Sequence, residues 1–512
     1  MTSRSYKAPY NRSLLFILYP AFNKRAKRKK TNKQILYTID AMSIIEEETQ
    51  WLRSTILPKI LKDGRLVDNY SDAKAGTFKL GDIKIDVIGH AEAFMLTFCY
   101  RTTINFEFDG EKLQRKMVVK KTPKVPPEMY DSIQFGPLFT NEINFYTKIL
   151  PEIQKVAGGK FAAPKYYYSE LNRHSAVIIL EDFAERGWRV TKDRVGLSLE
   201  HALIAVEYLG QFHGFTYAIK HKNPEQFGQL TSELKESRYA RDEINHEWNL
   251  TIQTGVKRAA KAVATYQPQI KEEFVRKLCF LMWDYVLYGK QRVAPREPLA
   301  TLCHGDYVRN NVAYKYRDQP EEIFSTQVVD GQIVRTLLGI NNNPPEEPLE
   351  IMMFDYQTLR VSSPMIDLAV FLAISLYADV RYKNFDAIFE RYCFSLYGSY
   401  TKHTKGSTIP DFMSHAELLK EYVRFLPYSV SITASFLMSL VEPLDMSPEE
   451  MFSQQLTDEE IIERVMNQGG EVVNREVAHQ IKEMLELSQR VGVAIDDGID
   501  VDQLPKVKES YN

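Results

Sequence analysis

Apolar residues follow two different periods along the first part of the chain. Over Ile44–Leu61 they recur at helical spacing, whereas Phe78–Ile88 alternates with period two, as a half-buried strand does. Phe94–Phe108 is rich in β-branched and aromatic residues, and Met117–Lys120 follows it after the turn dipeptide Asp109-Gly110. The pattern therefore predicts one helix and then a meander of three strands that ends in a lysine.

Two further strands and then mostly helices are predicted after this meander. An amphipathic helix is predicted over Leu138–Leu150, and short strands over Tyr166–Tyr168 and Ala176–Leu180. Strand-like residues recur at Ala300–Tyr316 and Glu350–Phe354. A β-rich first part joined to a mainly helical second part predicts an α+β protein with two lobes. The predicted helices of the second part are Ser198–His213, Ser232–Thr254, Gln269–Tyr288, Phe385–Tyr397, Ala416–Leu440 and Arg475–Val491.

Composition indicates an ordinary globular chain. Its 512 residues are 44% hydrophobic and 26% charged, and the net charge of −2 gives no sign of nucleic-acid binding. The four cysteines form no Cys-x-x-Cys pair, which argues against a zinc site and for a reducing, cytoplasmic location. No apolar stretch reaches the roughly 20 residues that a membrane-spanning helix needs. We expect a monomer without a transmembrane span.

The N-terminal residues differ from the rest of the chain. Leu14–Phe22 faintly resembles the apolar part of a signal peptide, but it is short, and the basic run Lys24–Lys30 follows it without a cleavage site. A solvated basic tail is the prediction, and a nuclear-localisation or anionic-surface patch is the alternative. The expected domains are a disordered basic extension at 1–41, a β-rich N-terminal lobe at 42–183 and a helical C-terminal lobe at 184–512.

The densest chemical signal lies within Leu302–Val312. It has the form His-x-Asp-x4-Asn, made by His304, Asp306 and Asn311. In protein kinases a loop of this form presents an aspartate that accepts the proton of the substrate hydroxyl, and an asparagine that binds Mg²⁺. The same spacing here predicts phosphoryl transfer, with Asp306 as the base and Asn311 as a metal ligand.

Three further residues occur in the chain order that such a site requires. Lys120 ends an apolar strand, Glu142 lies on the next predicted helix, and Asp355 follows another apolar strand. Kinases use such a lysine on the α- and β-phosphates, such a glutamate to hold the lysine, and such an aspartate on Mg²⁺. A lone lysine after two valines is a weak signal, but the four elements together in this order make coincidence improbable.

One family combines these motifs. The His-Gly-Asp form resembles the aminoglycoside and choline kinase branch of the protein-kinase-like fold. More narrowly, the chain is similar to the insect ecdysteroid-kinase-like (CHK kinase-like) family from about Met42 to about Met438. The stretches that carry the resemblance are Val118-Val119-Lys120-Lys121-Thr122-Pro123, Asn141-Glu142-Ile143-Asn144-Phe145-Tyr146 with Leu150-Pro151, Ile179-Leu180-Glu181-Asp182-Phe183, Leu209-Gly210-Gln211-Phe212-His213, His304-Gly305-Asp306 through Asn311, and Phe354-Asp355-Tyr356-Gln357 with Ser363-Pro364-Met365-Ile366-Asp367-Leu368.

The resemblance implies a two-lobed protein-kinase-like fold, the cofactors ATP and Mg²⁺, and a small hydroxylated acceptor such as an ecdysteroid. It places adenine against the backbone of a hinge at Leu180-Glu181-Asp182-Phe183, where a helix N-cap role for the Asp182 side chain is at least as plausible as a nucleotide contact. It carries five roles over to this chain: the base Asp306, the metal ligands Asn311 and Asp355, the phosphate clamp Lys120 and its partner Glu142.

Two departures from the family pattern bear on activity. The stretch that would cover the phosphates, Ile88–Phe94, keeps Gly89 as its only glycine, so fewer backbone amides reach the phosphates. The interval between Asn311 and Asp355 is long and holds the Asn/Pro-rich loop 341–348. A catalytically weak pseudokinase that binds a ligand or partner therefore stays open as an alternative. A protein kinase is a second rival, but no Ala-Pro-Glu element follows Asp355.

Other residues near these motifs are expected to be structural. His304 is expected to hydrogen-bond within its loop, and the resemblance implies that Asp367 ties this loop to a helix. His213 is predicted to be a satisfied core histidine. Arg309 is left open between a phosphate or acceptor contact and a surface position.

Overall fold

The computed structural model describes residues 44–88, 97–192, 194–242, 246–316, 321–329, 332–341, 347–443 and 456–504, so the predicted extension at 1–41 lies outside the described residues. The first helix, α1, spans 44–62 and contains a π-helical turn at Leu52–Ile56. A five-stranded antiparallel sheet follows it, with the strand order β1-β2-β3-β5-β4. Its strands are β1 Lys79–Val87, β2 Phe98–Phe108, β3 Glu111–Lys121, β4 Tyr166–Asn172 and β5 Ser175–Glu181.

The hairpin of β2 and β3 sets the direction of Lys120. Asp109 and Gly110 both have positive φ, 54° and 81°, which confirms the predicted tight turn. Successive strand residues point to opposite faces, so Lys120 lies on the face opposite to the buried Met117 and Val119. That face is turned toward the helices that follow β3.

Three short helices lie between β3 and β4. They are α2 Pro127–Ile133, α3 Phe135–Asn144 and α4 Leu150–Ala157, with a π-helical turn at Phe145–Ile149 between the last two. Proline lacks an N–H group and its ring crowds the preceding turn of a helix. Both π-helical turns end shortly before a proline, Pro58 in α1 and Pro151 in α4, and we attribute the wider turns to these residues.

Helices dominate the second part of the chain. The glycines at 210 and 214 let the helices Leu199–Lys222 and Phe385–His403 approach closely, because a Cβ at Gly210 would lie 2.5 Å from a carbonyl oxygen of the second helix. The helices are α5 Leu199–Lys222, α6 Pro224–Thr231, α7 His246–Tyr266, α8 Glu272–Trp283, α9 Tyr285–Val293, α10 Met365–Ser375, α11 Ala378–Arg381, α12 Phe385–His403, α13 His415–Val441, α14 Asp458–Asn467 and α15 Gly470–Val491.

Three strand pairs interrupt these helices. The pairs β6 with β11 and β7 with β10 carry the motif residues between them, whereas β8 and β9 form a hairpin that the sequence patterns did not predict. The strands are β6 Thr301–Cys303, β7 Val312–Tyr316, β8 Glu321–Val329, β9 Gln332–Asn341, β10 Pro348–Met353 and β11 Arg360–Ser362.

Two predicted helices include residues that are not helical. Residues 232–242, at the start of the helix predicted over Ser232–Thr254, form no helix, and α7 begins only at His246. The helix predicted over Gln269–Tyr288 is divided at Asp284, whose side chain accepts a hydrogen bond from the Leu287 N–H and caps α9. The non-helical segment 232–242 is called the strap below.

Helix α13 is the only described helix that is long and apolar enough to cross a membrane. Its mean hydropathy is 1.2, and 83% of the apolar window is buried inside the protein. A helix buried to this degree is typical of a core element.

Candidate active site

A buried carboxylate fixes the loop between β6 and β7. Oδ2 and Oδ1 of Asp367 accept hydrogen bonds from the backbone N–H groups of His304 and Gly305, each over 2.7 Å. His213 holds Asp367 in turn, with Nε2 3.1 Å from Oδ2, and its Nδ1 lies 2.8 Å from the Tyr392 hydroxyl. Asp367 thus ties the loop to α10, and His213 is a satisfied core histidine, as expected.

Two bonds join this loop to the segment after β10. Nε2 of His304 lies 3.0 Å from the carbonyl oxygen of Phe354, so His304 acts structurally, as expected. The N–H of Phe354 donates to the carbonyl oxygen of Asn311 over 3.0 Å. Asp306 and Asn311 are thereby held beside Asp355.

Asp306 and Asn311 contact each other directly. Nδ2 of Asn311 donates to the backbone carbonyl oxygen of Asp306 over 2.9 Å and to its Oδ2 over 3.1 Å. The other oxygen, Oδ1, lies 3.8 Å from Nη2 of Arg238. Burial raises the pKa of Asp306, and the positive charge of Arg238 opposes the rise. The carboxylate therefore has one oxygen held by the loop and one directed toward the strap.

Lys120 lies between two carboxylates. Its Nζ is 2.7 Å from Oε2 of Glu142 on α3 and 2.6 Å from Oδ1 of Asp355 after β10. Burial disfavours the charged lysine, but Asp355 and Glu142 outweigh this effect and raise the pKa of Lys120. Burial also raises the pKa of Glu142, against the pull of the lysine. The cluster brings residues from three separate elements to one point and keeps Lys120 cationic.

The residues at Asn311 and Asp355 fit a Mg²⁺ ion. Nδ2 of Asn311 donates to Asp306, so Oδ1 is the atom of this amide that could bind a cation, and Asp355 has Oδ2 beside the oxygen that contacts Lys120. Mg²⁺ takes oxygen ligands and is usually held by one or two protein groups together with substrate phosphates. Asp355 also has a φ of 66°, a strained conformation that clusters at ligand sites.

The predicted hinge continues β5, and its two acidic side chains are already engaged. Oε1 of Glu181 lies 2.7 Å from Nε of Arg186. Asp182 accepts a hydrogen bond from the Ala184 N–H over 3.2 Å and caps the 3₁₀ turn Phe183–Arg186. The Asp182 side chain therefore acts as a helix N-cap, which was the alternative to a nucleotide contact. A nucleotide bound at this hinge would contact backbone groups.

The apolar hinge residues face different surroundings. Leu180 is half-buried against the main core, whereas the ring of Phe183 lies 5.1 Å from that of Phe354, centroid to centroid. Phe183 and Phe354 pack on a small separate cluster, which is the apolar surface next to Asp355. The cluster consists of Trp188, Ala313 and Met352.

The sequence also raised questions about Gly89 and Arg309. Gly89, in the stretch predicted to cover the phosphates, lies outside the described residues. Arg309 is buried rather than on the surface, and its Nε donates to Oγ1 of Thr191 over 2.8 Å. Arg309 therefore fixes the loop 304–311 against the segment before α5.

The sequence patterns missed Arg238 and Asn141. Asn141 donates through Nδ2 to the carbonyl oxygens of Lys235 and Gln357, over 2.8 and 3.1 Å, and accepts from the Lys235 N–H over 2.8 Å. It therefore joins the strap to the segment after Asp355. Its position beside Glu142 was the only signal, whereas nothing in the sequence distinguished Arg238 from other charged residues of a predicted helix.

The two-part α+β architecture and this site define a protein-kinase-like fold. The chain belongs to the ecdysteroid kinase-like family, whose family model matches residues 91–337 and 338–404. This membership makes it a kinase-like phosphotransferase of the small-molecule type.

Two solved structures are similar to the chain at low identity. An ethanolamine kinase from Plasmodium vivax has 12% identity and a TM-score of 0.32, covering 83% of this chain and 94% of its own. An aminoglycoside-3'-phosphotransferase of type VIII has 15% identity and a TM-score of 0.23, covering 71% of this chain and 99% of its own. No curated protein matches the sequence.

Proposed function

We propose that the protein transfers the γ-phosphate of ATP, with Mg²⁺, to a hydroxyl of a small and mainly apolar alcohol such as an ecdysteroid. The observation that carries this proposal is the contact of Lys120 with both Glu142 and Asp355, beside the Asp306–Asn311 pair. A phosphate clamp, two metal-facing oxygens and a base are what in-line phosphoryl transfer requires.

In the proposed reaction Lys120 binds the α- and β-phosphates, and Glu142 keeps it in place. Asp306 orients the acceptor hydroxyl and accepts its proton. The acceptor oxygen forms a bond to the γ-phosphorus, while the bond from that phosphorus to the bridging oxygen breaks and its electron pair leaves with ADP. Asn311 and Asp355 would hold Mg²⁺, which would supply positive charge to the phosphates. Most of the rate therefore comes from positioning and charge.

Adenine is proposed to lie against the hinge backbone at 180–183. The rings of Phe183 and Phe354 and the side chain of Met352 offer it an apolar surface. Because the carboxylates of Glu181 and Asp182 are engaged elsewhere, the recognition of adenine would depend on backbone groups and packing.

We also propose a cytoplasmic monomer that binds no nucleic acid. All four cysteines are free and buried, which suits a reducing compartment. The net charge of −2 offers no basic surface as a whole.

Two aspartate variants test the proposal. Mg-ATP should raise the midpoint of thermal unfolding of the wild type with increasing concentration. Asp355→Asn should lose the Mg²⁺-dependent part of this rise. Asp306→Asn should keep the rise but lose about 10² to 10⁴-fold in transfer of labelled phosphate to steroid alcohols, the usual contribution of a general base. The exposed Asp82 provides the control Asp82→Asn, which should change neither.

The contrary results are distinct. A wild type that neither binds Mg-ATP nor transfers phosphate would favour the ligand-binding pseudokinase. Phosphate that appears on a protein panel, and on no small alcohol, would favour a protein kinase.

A further inference from the structure

The strap places charged residues at the acceptor side of Asp306. Its first half is bonded to Asn141 through the backbone of Lys235, and its far end is held by the ion pair of Asp242 with Lys290 of α9, 2.6 Å apart. Within it, Oε1 of Glu236 accepts the N–H groups of Arg238 and Tyr239 over 2.8 and 2.9 Å. These bonds fix the strap in a non-helical form.

Arg238 is the strap residue that reaches the proposed base. Its Nη2 lies 3.8 Å from Oδ1 of Asp306, and its Nη1 donates to the Tyr428 hydroxyl over 3.3 Å. A hydroxyl in hydrogen-bond distance of that Oδ1, about 3 Å away, lies within about 7 Å of the guanidinium. Any acceptor that reacts at Asp306 is therefore close to this positive charge.

The two carboxylates next to Arg238 each face an arginine. Oε2 of Glu236 lies 3.2 Å from Nη1 of Arg360, while Asp306 faces Arg238 and Asp355 contacts Lys120. Because Asp306 faces Arg238 and Glu236 faces Arg360, neither of these two carboxylates is left over for a cationic group of the acceptor. An alcohol that carries an ammonium group would meet Arg238 without a compensating carboxylate.

The strap residue after Arg238 is a neutral aromatic one, Tyr239. The rings of Tyr239 and Tyr285 lie 5.1 Å apart, and both hydroxyls are buried. Tyr239 packs so closely on Gly289 that a Cβ there would lie 2.1 Å from its ring. These neutral rings pack beside Arg238 and add no carboxylate to its surroundings.

We propose that Arg238 is a specificity-determining residue that selects neutral or anionic alcohols as acceptors and excludes alcohols with an ammonium group. This inference rests on the proposed function, since it concerns the acceptor of the same phosphoryl transfer. The contacts that carry it are those of Arg238 with Asp306 and of Glu236 with Arg360.

Labelled ATP and two sets of acceptors test the inference. The neutral set contains ecdysone and other steroid polyols, and the ammonium set contains choline and ethanolamine. The wild type should favour the neutral set at least tenfold in kcat/KM. Arg238→Gln should reduce this preference to threefold or less through the KM of the ammonium alcohols, without a change in the KM of ATP. Arg238→Lys, which keeps the charge, should retain most of the preference.

Two control variants separate charge from packing. Tyr428→Phe removes a hydrogen-bond partner of Arg238 but leaves its charge, and should keep the preference. Arg241→Gln removes the same charge from an exposed position of the strap that contacts Asp131, and should also keep it. Thermal unfolding and Mg-ATP binding of each variant show whether it is folded. If Arg238→Gln does not fold, Arg238→Lys tests the role of the charge.

Three outcomes would overturn the inference. One is a wild type that prefers choline or ethanolamine, and another is an unchanged preference in Arg238→Gln. The third is transfer to no alcohol in either set, which also overturns the acceptor half of the proposed function. Mg-ATP binding, measured separately, then shows whether the nucleotide half stands.

Discussion

Gly305 shows how one residue decides the geometry of the loop that holds Asp306. It has a φ of +81°, and a Cβ at this position would lie 2.1 Å from the carbonyl oxygen of Thr358. The same threonine donates through Oγ1 to the carbonyl oxygen of His304 over 3.1 Å. A side chain at 305 must therefore displace backbone on both sides of the site.

Gly305→Ala should lower kcat at least about 100-fold, because a displacement of about 1 Å in a catalytic group has this effect. It should also lower the free energy of unfolding by more than about 1 kcal/mol, since alanine disfavours positive φ. Gly398→Ala on α12 is the matched control, because nothing lies within 4 Å of its Cβ. There alanine should stabilise by up to about 1 kcal/mol without a change in kcat. Phosphate transfer and urea unfolding measure both, and a Gly305→Ala enzyme with normal kcat would refute the argument.

The candidate site was predictable at the residues that carry local motifs. Asp306 and Asn311 occur at a fixed spacing, and Lys120 and Asp355 each end an apolar strand, so the sequence alone could place them. Arg238 was not predictable, because its approach to Asp306 depends on a bend of the strap that apolar periodicity does not report. Their roles in catalysis stay predictions.

At the scale of elements, the C-terminal helix α15 is held by a buried ion-pair network. Nε and Nη2 of Arg381 contact the two carboxylate oxygens of Glu483 over 2.8 and 2.7 Å, and Nη1 lies 2.7 Å from Glu476. Burial opposes the charge of Glu483, but Arg381 and His479 outweigh it and lower the pKa of this carboxyl. A lowered pKa contributes stability above the unfolded value near 4.5, and this stability is lost as the pH falls.

Glu483→Gln should destabilise the protein by about 3 to 5 kcal/mol, because it leaves Arg381 buried with a broken pair. The wild type should also lose stability as the pH falls below about 5, and the variant should lose less, since it lacks the titrating carboxyl. Denaturant unfolding between pH 7 and pH 4 measures both effects. Glu471→Gln removes an exposed pair with Arg475 on the same helix and should change little. Equal pH slopes in wild type and Glu483→Gln would contradict the assignment.

The elements were predictable where periodicity is strong, and failed where side chains bond to the backbone. The meander with its Asp109-Gly110 turn and the long helices α5 and α13 were found from pattern. The strap was misassigned as helix because Glu236 accepts two backbone N–H groups, which offers the chain an alternative to helical bonds. The π-helical turns before Pro58 and Pro151 likewise cannot be recognised from the spacing of apolar residues.

At the scale of the whole molecule, one strand serves two hydrophobic cores. Val177 and Ile179 of β5 are buried in the core under α1, whereas Ala176 and Ile178 belong to the main core. Because alternate residues point to opposite faces, β5 is covered on both sides. The continuous apolar run 176–180 in the sequence reflects this, and the hinge begins where the run ends.

The hairpin of β8 and β9 is the largest feature that the patterns missed, although its strands are separated by Asp330-Gly331, a dipeptide typical of tight hairpins. Tyr316 of β7 pairs with Pro348 of β10, so the two strand ends that flank the segment 317–347 are neighbours.

Replacement of 317–347 by Asn-Gly should therefore connect β7 and β10 directly. It should add no entropic cost of loop closure, since a shorter loop is easier to close. We expect the unfolding midpoint to stay within a few degrees and the KM of ATP to be unchanged, because Asp306, Asn311 and Lys120 are held by other elements. Thermal unfolding and phosphate transfer measure this, with Asp306→Asn in the shortened chain as the inactive control. A selective loss of affinity for the acceptor in the shortened enzyme would instead assign the hairpin to the acceptor site.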